Sequence, residues 1–188
     1  NDAELSNNEN GCTVHGDPTE SALAIAAASA GLGRTVLEGG VPRIAEAPFD
    51  SQRKRMTTLH KVNGEIFLSN ILGDSFPQSS FIAFTKGSVD GLLTLCDRIL
   101  LRGEVRSLDA QAAEHVLREN DAFAREGLRV LGFAYAPFEV QPKDTSALGL
   151  ERGMVFAGLM ALHDPPRAEV KDAVALCKSA GIRPIMIT

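Results

Sequence analysis

Phe49-Asp50-Ser51-Gln52-Arg53-Lys54-Arg55-Met56 sets one aromatic ring ahead of three adjacent cations, in a chain whose formal net charge is −5. Neighbouring charges desolvate badly without partners, so the run belongs on a surface or facing a ligand. A ring followed by cations suits a ligand that is flat at one end and anionic at the other. A nucleotide has that form: its base stacks on a ring, and its phosphates seek Lys and Arg. The chain has no Gly-x-x-x-x-Gly-Lys-Ser/Thr loop and no Gly-x-Gly-x-x-Gly after a strand. Nucleotide binding would therefore rest on side chains rather than on a glycine cradle.

Each candidate has a plainer reading beside the chemical one. Phe49 can stack on a base or sit half-buried beside Pro48. Lys54 can meet phosphate or end a solvated basic strand. Lys86 follows the mostly apolar Phe81–Thr85 and precedes Gly87, so a lone cation stands at the rim of a core strand. Such a cation points into a cleft or simply leaves the core. Arg129 can fork a phosphate or pair with Glu126. Glu20 can close a capping box or accept a hydrogen bond from an adenine amino group. Asp164, between His163 and two prolines, is a hinge device or a site residue.

The remaining chemistry is thin. His15, His60, His115 and His163 are scattered, and neither a Ser-His-Asp order nor a paired-carboxylate spacing stands out. Cys12-Thr13-Val14-His15 has the spacing of half a metal site with no second half nearby. Cys12, Cys96 and Cys177 are odd in number and far apart, which argues against a disulfide framework and suits a reducing compartment. The negative balance argues against nonspecific nucleic-acid binding. Hydrophobic residues make up 44% of 188, enough for a core, and the charged share of 23% is ordinary. The longest apolar runs, Leu23–Leu32 and Met154–Leu162, fall short of the ~20 residues that span a bilayer. No signal peptide is visible. The opening lacks Met and the end falls in an apolar run, so an excised piece of a longer protein is expected.

The elements that must hold these residues read as follows. Asn1–Gly16 is polar and reads as loop. Asp17-Pro18-Thr19-Glu20 starts a helix that runs through Ala30 and ends at Gly31. Val41–Ala47 is a short strand bounded by Pro42 and Pro48. Arg55–Val62 and Glu65–Leu72 flank Asn63-Gly64, a strong hairpin signal that would pair Lys61 with Ile66, Leu59 with Leu68 and Met56 with Ile71. In that strand Arg53, Lys54 and Arg55 alternate faces, so Lys54 meets the ligand only if its neighbours do not. Charge reversal at Arg53 or Arg55 is then expected to change ligand affinity little.

Further along, Phe81–Thr85 is a strand and Ser88–Cys96 a short helix. Arg98–Leu101 and Glu104–Arg106 form a second hairpin turning at Arg102-Gly103. Asp109–Gly127 is a longer helix and Arg129–Phe138 a strand. Met154–Leu162 reads as a strand buried on both faces. Ala168–Ala180 is an amphipathic helix, and Ile182–Ile187 an apolar strand completing a piece of a parallel α/β unit. The body before that piece, with hairpins and helices mixed, is α+β.

Several stretches together resemble one family. Gly16-Asp17-Pro18-Thr19-Glu20, Phe49–Met56, Thr85-Lys86-Gly87, Gly127-Leu128-Arg129-Val130-Leu131, Asp164-Pro165-Pro166-Arg167 and Met186-Ile187-Thr188 occur in this order over almost the whole chain. The ordered set resembles the nucleotide-binding domain of P-type cation-transporting ATPases, in their calcium-pump-like branch. The resemblance implies a mainly antiparallel twisted sheet flanked by helices over residues 1–162. It implies a hinge and a piece of the phosphorylation domain over residues 163–188. It implies ATP with Mg2+ as ligand, phosphorylation and actuator domains of the same parent chain as partners, and a cytoplasmic place in an integral membrane protein whose membrane helices are not in this sequence.

By the same resemblance Phe49 stacks on adenine and Glu20 lies near its edge. Lys86, with Gly87 beside it, sits deep in the base and ribose pocket, while Lys54 and Arg129 face the phosphates. Asp164 and Arg167 lie at the hinge, and Thr188 stands before a Gly-Asp pair that assists magnesium and phosphate. Two departures bear on this. Ser88-Val89-Asp90 follows Gly87 where the family has Ala-Pro-Glu, and the Asp-Lys-Thr-Gly-Thr segment with the phosphorylated aspartate is not in this sequence. The chain is thus expected to bind nucleotide weakly, with dissociation constants on the order of 0.1–1 mM, and not to hydrolyse it alone. The competing expectations are a noncatalytic regulatory module that keeps the fold without the ligand, and a soluble phosphotransferase.

Overall fold

A computed structural model of the chain describes residues 2–8, 11–63 and 79–186. The chain opens on a hairpin, not a loop: β1 (Glu4–Asn8) pairs antiparallel with β2 (Gly11–His15). The polar residues of both stretches hid these strands from a reading by apolar alternation. The Asn10-Gly11 dipeptide was the available signal.

Helix α1 (Pro18–Ser29) starts as expected. Asp17 Oδ1 accepts from the Thr19 and Glu20 amides at 2.9 and 3.3 Å, and Pro18 occupies the first turn. Past its end Gly31 takes φ +77°. A second helix, α2 (Arg34–Gly40), has no counterpart in the sequence reading. Its Arg34–Glu38 pair, at 2.6 Å, is an i,i+4 brace.

The body is a seven-stranded sheet in the order β3-β4-β5-β8-β9-β6-β7. Its strands are β3 (Arg43–Asp50), β4 (Arg55–Lys61), β5 (Phe81–Gly87), β6 (Cys96–Leu101), β7 (Glu104–Ser107), β8 (Arg129–Phe138) and β9 (Met154–Leu162). Every pairing is antiparallel except β6 with β9. The sheet is therefore the mainly antiparallel, helix-flanked α+β architecture anticipated.

Strand β3 continues through Pro48, which was expected to end it. It lies at the sheet edge, and its register shifts between Ala47 and Asp50, where a proline is tolerated. The expected pairing of β4 with Glu65–Leu72 is overturned. Both edges of β4 are taken, by β3 and by β5, so Lys61, Leu59 and Met56 face Phe81, Ala83 and Lys86 instead. Residues 64–78 themselves lie outside the described residues. The Arg102-Gly103 hairpin is as expected, with both residues at positive φ, 52° and 81°.

The main core covers one face of the sheet. There α3 (Val89–Leu93), α4 (Ala110–Arg125) and α5 (Ala147–Leu150) contribute Val89, Leu92, Val116 and Leu150. These pack with Leu59, Ala83, Ile99, Ala134, Ala136, Met154 and Phe156. Residues of opposite strand parity, Ile82 and Tyr135, form a smaller cluster with Val41 and Val155 on the other face.

Two expectations at the C-terminal side fail. Strand β9 is buried on both faces only over Met154, Val155 and Phe156, because its pairing with β6 stops at Ile99↔Phe156 and Met160 is left exposed. Helix α6 (Val170–Ser179) forms, but no strand follows over 182–186, where Ile182, Ile185 and Met186 are exposed. An apolar run becomes a strand only beside another strand, and none of the described strands reaches it.

His60 on β4 is part-buried and hydrogen-bonded at both ring nitrogens. Its Nδ1–H donates to the Val41 carbonyl at 2.8 Å, and Nε2 shares a hydrogen bond of 2.9 Å with the Thr58 hydroxyl. Burial pushes its pKa below the ordinary value of about 6.5, only partly offset by the Val41 carbonyl. The unfolded chain therefore takes up this proton at higher pH than the folded one. The contribution of His60 is fully present above about pH 6.5 and is lost as pH falls through the lower folded value. Urea unfolding between pH 7.5 and 5 should show declining stability, and His60→Gln should flatten part of that decline.

Candidate functional site

Lys86 is the last side chain of β5 before Gly87. It stands directly opposite Met56 on β4 and Phe133 on β8. Directly paired residues point to the same face, so Met56, Lys86 and Phe133 form a row across three strands. The row extends to the edge. Between the pairs Ala47↔Thr57 and Asp50↔Arg55, strand β3 has two residues, Pro48 and Phe49, where β4 has only Met56. Such a bulge re-aims a side chain, and the Phe49 ring is left 64% exposed.

Helix α1 brings a carboxylate to this row. Lys86 Nζ donates to Glu20 Oε1 at 2.6 Å, and both side chains are about four-fifths covered, with exposures of 19% and 21%. Glu20 Oε2 accepts the Asp2 amide at 3.0 Å, which ties the start of the chain to the same carboxylate. Burial raises the Glu20 pKa, but the Lys86 ammonium and the Asp2 amide outweigh it, and the net shift is downward. The Glu20 carboxylate is accordingly held in its charged form. The capping-box role foreseen for Glu20 gives way to this cross-link, while Asp17 caps the helix.

Arg129 opens β8 on the strand parity of Phe133, and its Nη1 donates to the Thr19 hydroxyl at 3.0 Å. It turns to the start of α1 and not to Glu126. Thus Glu20, Lys86 and Arg129, far apart in sequence, converge on the first turn of α1. Asp17 is exposed there, and its pKa is lowered by the Glu20 and Thr19 amides first and by Arg129 more distantly.

Lys54 is not in a strand. It lies in the turn from β3 to β4, exposed, at φ +51°. Arg53 and Arg55 still share one side, as alternation implied, but through a turn with a left-handed residue between them and not through a strand pleat. Both donate to the Glu151 carboxylate, on the face away from Lys86. Both are half-buried and partnered, so charge reversal there would set a like charge beside Glu151 and damage the turn. Neither Glu151, which no local signal marks, nor Phe133 figured among the candidates read from sequence.

Gly87 has a structural task. A Cβ there would lie 2.6 Å from the Lys54 carbonyl oxygen and 2.8 Å from Arg55 Cα, with Arg55 Cβ closer still. Only glycine lets the β3–β4 turn lie this close to β5, where the Ser88 amide donates to the Lys54 carbonyl at 3.0 Å. Asp164 and Arg167 are exposed and follow β9, whose last residue Leu162 pairs with Arg129. They lie beyond the sheet at the Arg129 end of β8. Thr188 lies outside the described residues. No group of three His, Cys, Asp or Glu able to hold a metal gathers among the described residues.

Residues 1–169 match the family described as P-type ATPase, cytoplasmic domain N. The chain belongs to that family. A calcium-transporting ATPase 1 of Bacillus cereus is 39% identical over 188 residues, which is all of this chain and 19% of that protein. A calcium-transporting ATPase 1 of Lactococcus lactis is 36% identical over 173 residues, 92% of this chain and 18% of its own length. A cation-transporting ATPase of Synechocystis is 35% identical over 189 residues, covering all of this chain and 19% of itself. The chain thus spans about a fifth of the length of the curated relatives it matches, and it is an N domain of the calcium-pump-like kind.

In this N domain Gly87→Ala should force the β3–β4 turn away from β5. Overpacking of this sort costs about 1–3 kcal/mol. Urea unfolding should report that loss, and the Lys54 and Ser88 amide resonances should move.

Proposed function

We propose that this N domain binds ATP on the face that carries Lys86, as the nucleotide-holding part of a cation-transporting ATPase. The observation that carries the proposal is the pairing of an exposed ring with a covered cation. Phe49 stands at one end of a four-strand row, and Lys86 sits within it, locked to Glu20. Adenine would stack on Phe49 and rest against the apolar surface of Met56 and Phe133. Lys86 and Glu20 offer a donor and an acceptor to the base and ribose, and Gly87 holds the turn close to them. Lys54 and Arg129 would draw the phosphates, one from the edge turn and one from the start of β8.

Magnesium would arrive with the nucleotide as part of the substrate. The chain's own residues bind and orient. Phosphoryl transfer would take place on an aspartate in another domain, so the contribution of this one is positioning. Asp164 and Arg167 would then belong to a hinge, and residues 163–188, ending at Thr188, to the phosphorylation domain beyond it. On this reading the parent is an integral membrane protein with this domain on the cytoplasmic side, and actuator and phosphorylation domains are its partners.

A heteronuclear NMR titration with ATP should move the amides of Glu20, Phe49 and Lys86, with a dissociation constant on the order of 0.1–1 mM. Phe49→Ala should weaken binding by about 1–3 kcal/mol, the usual worth of a stacked base. Lys54→Glu should weaken it strongly, and tripolyphosphate should compete less well than ATP. Unmoved resonances at millimolar ATP would instead favour a noncatalytic module that keeps the fold. ATP turnover by this chain alone would point to a complete phosphotransferase.

A further inference from the structure

Resting on the nucleotide reading, we propose that Glu151 is a positioning residue for the site, acting through Arg53 and Arg55 from the opposite face of the sheet. It is the only buried charged residue among the described residues, with a side chain 3% exposed. A buried carboxylate persists only where partners saturate it. Here two of its three described side-chain partners, Arg53 and Arg55, flank Lys54 at the β3–β4 turn, and the third, Thr57, lies further along β4. Oε1 accepts from Arg53 Nη1 at 2.5 Å and from the Thr57 hydroxyl at 2.9 Å, and Oε2 accepts from Arg55 Nε at 2.7 Å. Since Thr57 donates to Glu151, the Thr85 hydroxyl, 2.8 Å away, donates to Thr57. The carboxylate is thereby fixed to both β4 and β5.

Arg53 carries the effect to the site. Its Nη2 donates to the Pro48 carbonyl at 2.8 Å, the peptide that leads into Phe49. Arg55 Nη1 donates to the Arg53 carbonyl at 3.2 Å. The Lys54 amide donates to the Asp50 carbonyl at 2.7 Å, while the Asp50 carboxylate takes the Gln52 and Arg53 amides. Drawing both arginines to one carboxylate leaves Lys54, between them, in the left-handed conformation and exposed. The ring and the cation offered to the nucleotide are thus set by a residue 98 positions from Arg53 in sequence that touches neither. The close approach of Gly149 to the Asp144 carbonyl, where no Cβ fits, curls the chain just ahead of Glu151.

The test is a pair of variants in the 188-residue chain, with ATP affinity read by NMR and folding by urea denaturation. Glu151→Gln keeps the shape and loses the charge, and it should raise the ATP dissociation constant roughly five- to tenfold. In a Phe49→Ala/Lys54→Ala background the same change should have little further effect on affinity, because its route runs through those two residues. A role confined to stability would lower the urea midpoint equally in both backgrounds and leave affinity alone. Arg53→Gln, which leaves Glu151 with Arg55 and Thr57, should reproduce the affinity loss with a smaller change in midpoint, and it decides the matter if Glu151→Gln does not fold. Folded variants that bind ATP as the wild type does would overturn the inference alone. A wild-type chain unmoved by millimolar ATP would overturn the nucleotide reading, and this inference with it.

Discussion

The register of β5 between its two neighbours governs the rest of this domain. Seven pairs join it to β4 and seven to β8, with no slip in either ladder. A shift of one residue would turn Lys86 into the main core and Thr85 out of it, since side chains alternate with period two. The two faces could not tolerate the exchange. One holds Leu59, Ala83 and Ala136 under the helices, and the other presents Met56, Lys86 and Phe133 in line. Core packing and the placement of the candidate ligand face are therefore one constraint.

On this frame the site is assembled by charge pairs of unequal standing. The exposed ion pairs, such as Arg106 with Glu104, contribute little, because water screens them. The Lys86–Glu20 and Arg–Glu151–Arg groups are shielded, and each joins elements distant in sequence. Breaking a buried pair by removing one partner typically costs about 3–5 kcal/mol, which is far more than the intact pair adds. The left-handed backbone at Lys54 costs roughly another 1–2 kcal/mol. The domain holds this local cost because Glu151 and the Asp50 carboxylate together determine the turn.

The same economy of contacts would make the proposed nucleotide site a weak one. One ring, one covered ammonium and two exposed cations must offset about 4–15 kcal/mol of association cost. Phe49 is presented by an edge strand and Lys54 by a turn, so neither is enclosed. Low affinity would be the physical consequence of that openness.

Much of this was legible from residues alone where the cause is local. Asp17-Pro18 sets a helix start by capping, Arg102-Gly103 reverses a hairpin by tolerating positive φ, and the apolar stripe of 110–125 identifies α4. The motif string around Phe49, Lys86 and Arg129 marked the family and its candidate residues. What the sequence could not show lies in pairing between distant segments. Asn63-Gly64 pointed to a local hairpin, yet β4 gave both its edges to β3 and β5, because backbone bonding goes to whichever strand packing brings alongside. Alternation placed Lys54 in a strand, whereas a turn held from across the sheet decided its direction. Ile182–Met186 had the composition of a strand and, among the described strands, no neighbour to make it one. Residue types and their order determined the family and the chemistry available. Only the tertiary structure decided which cation meets Glu20 and which meet Glu151, since a charge finds its partner through space and not along the chain.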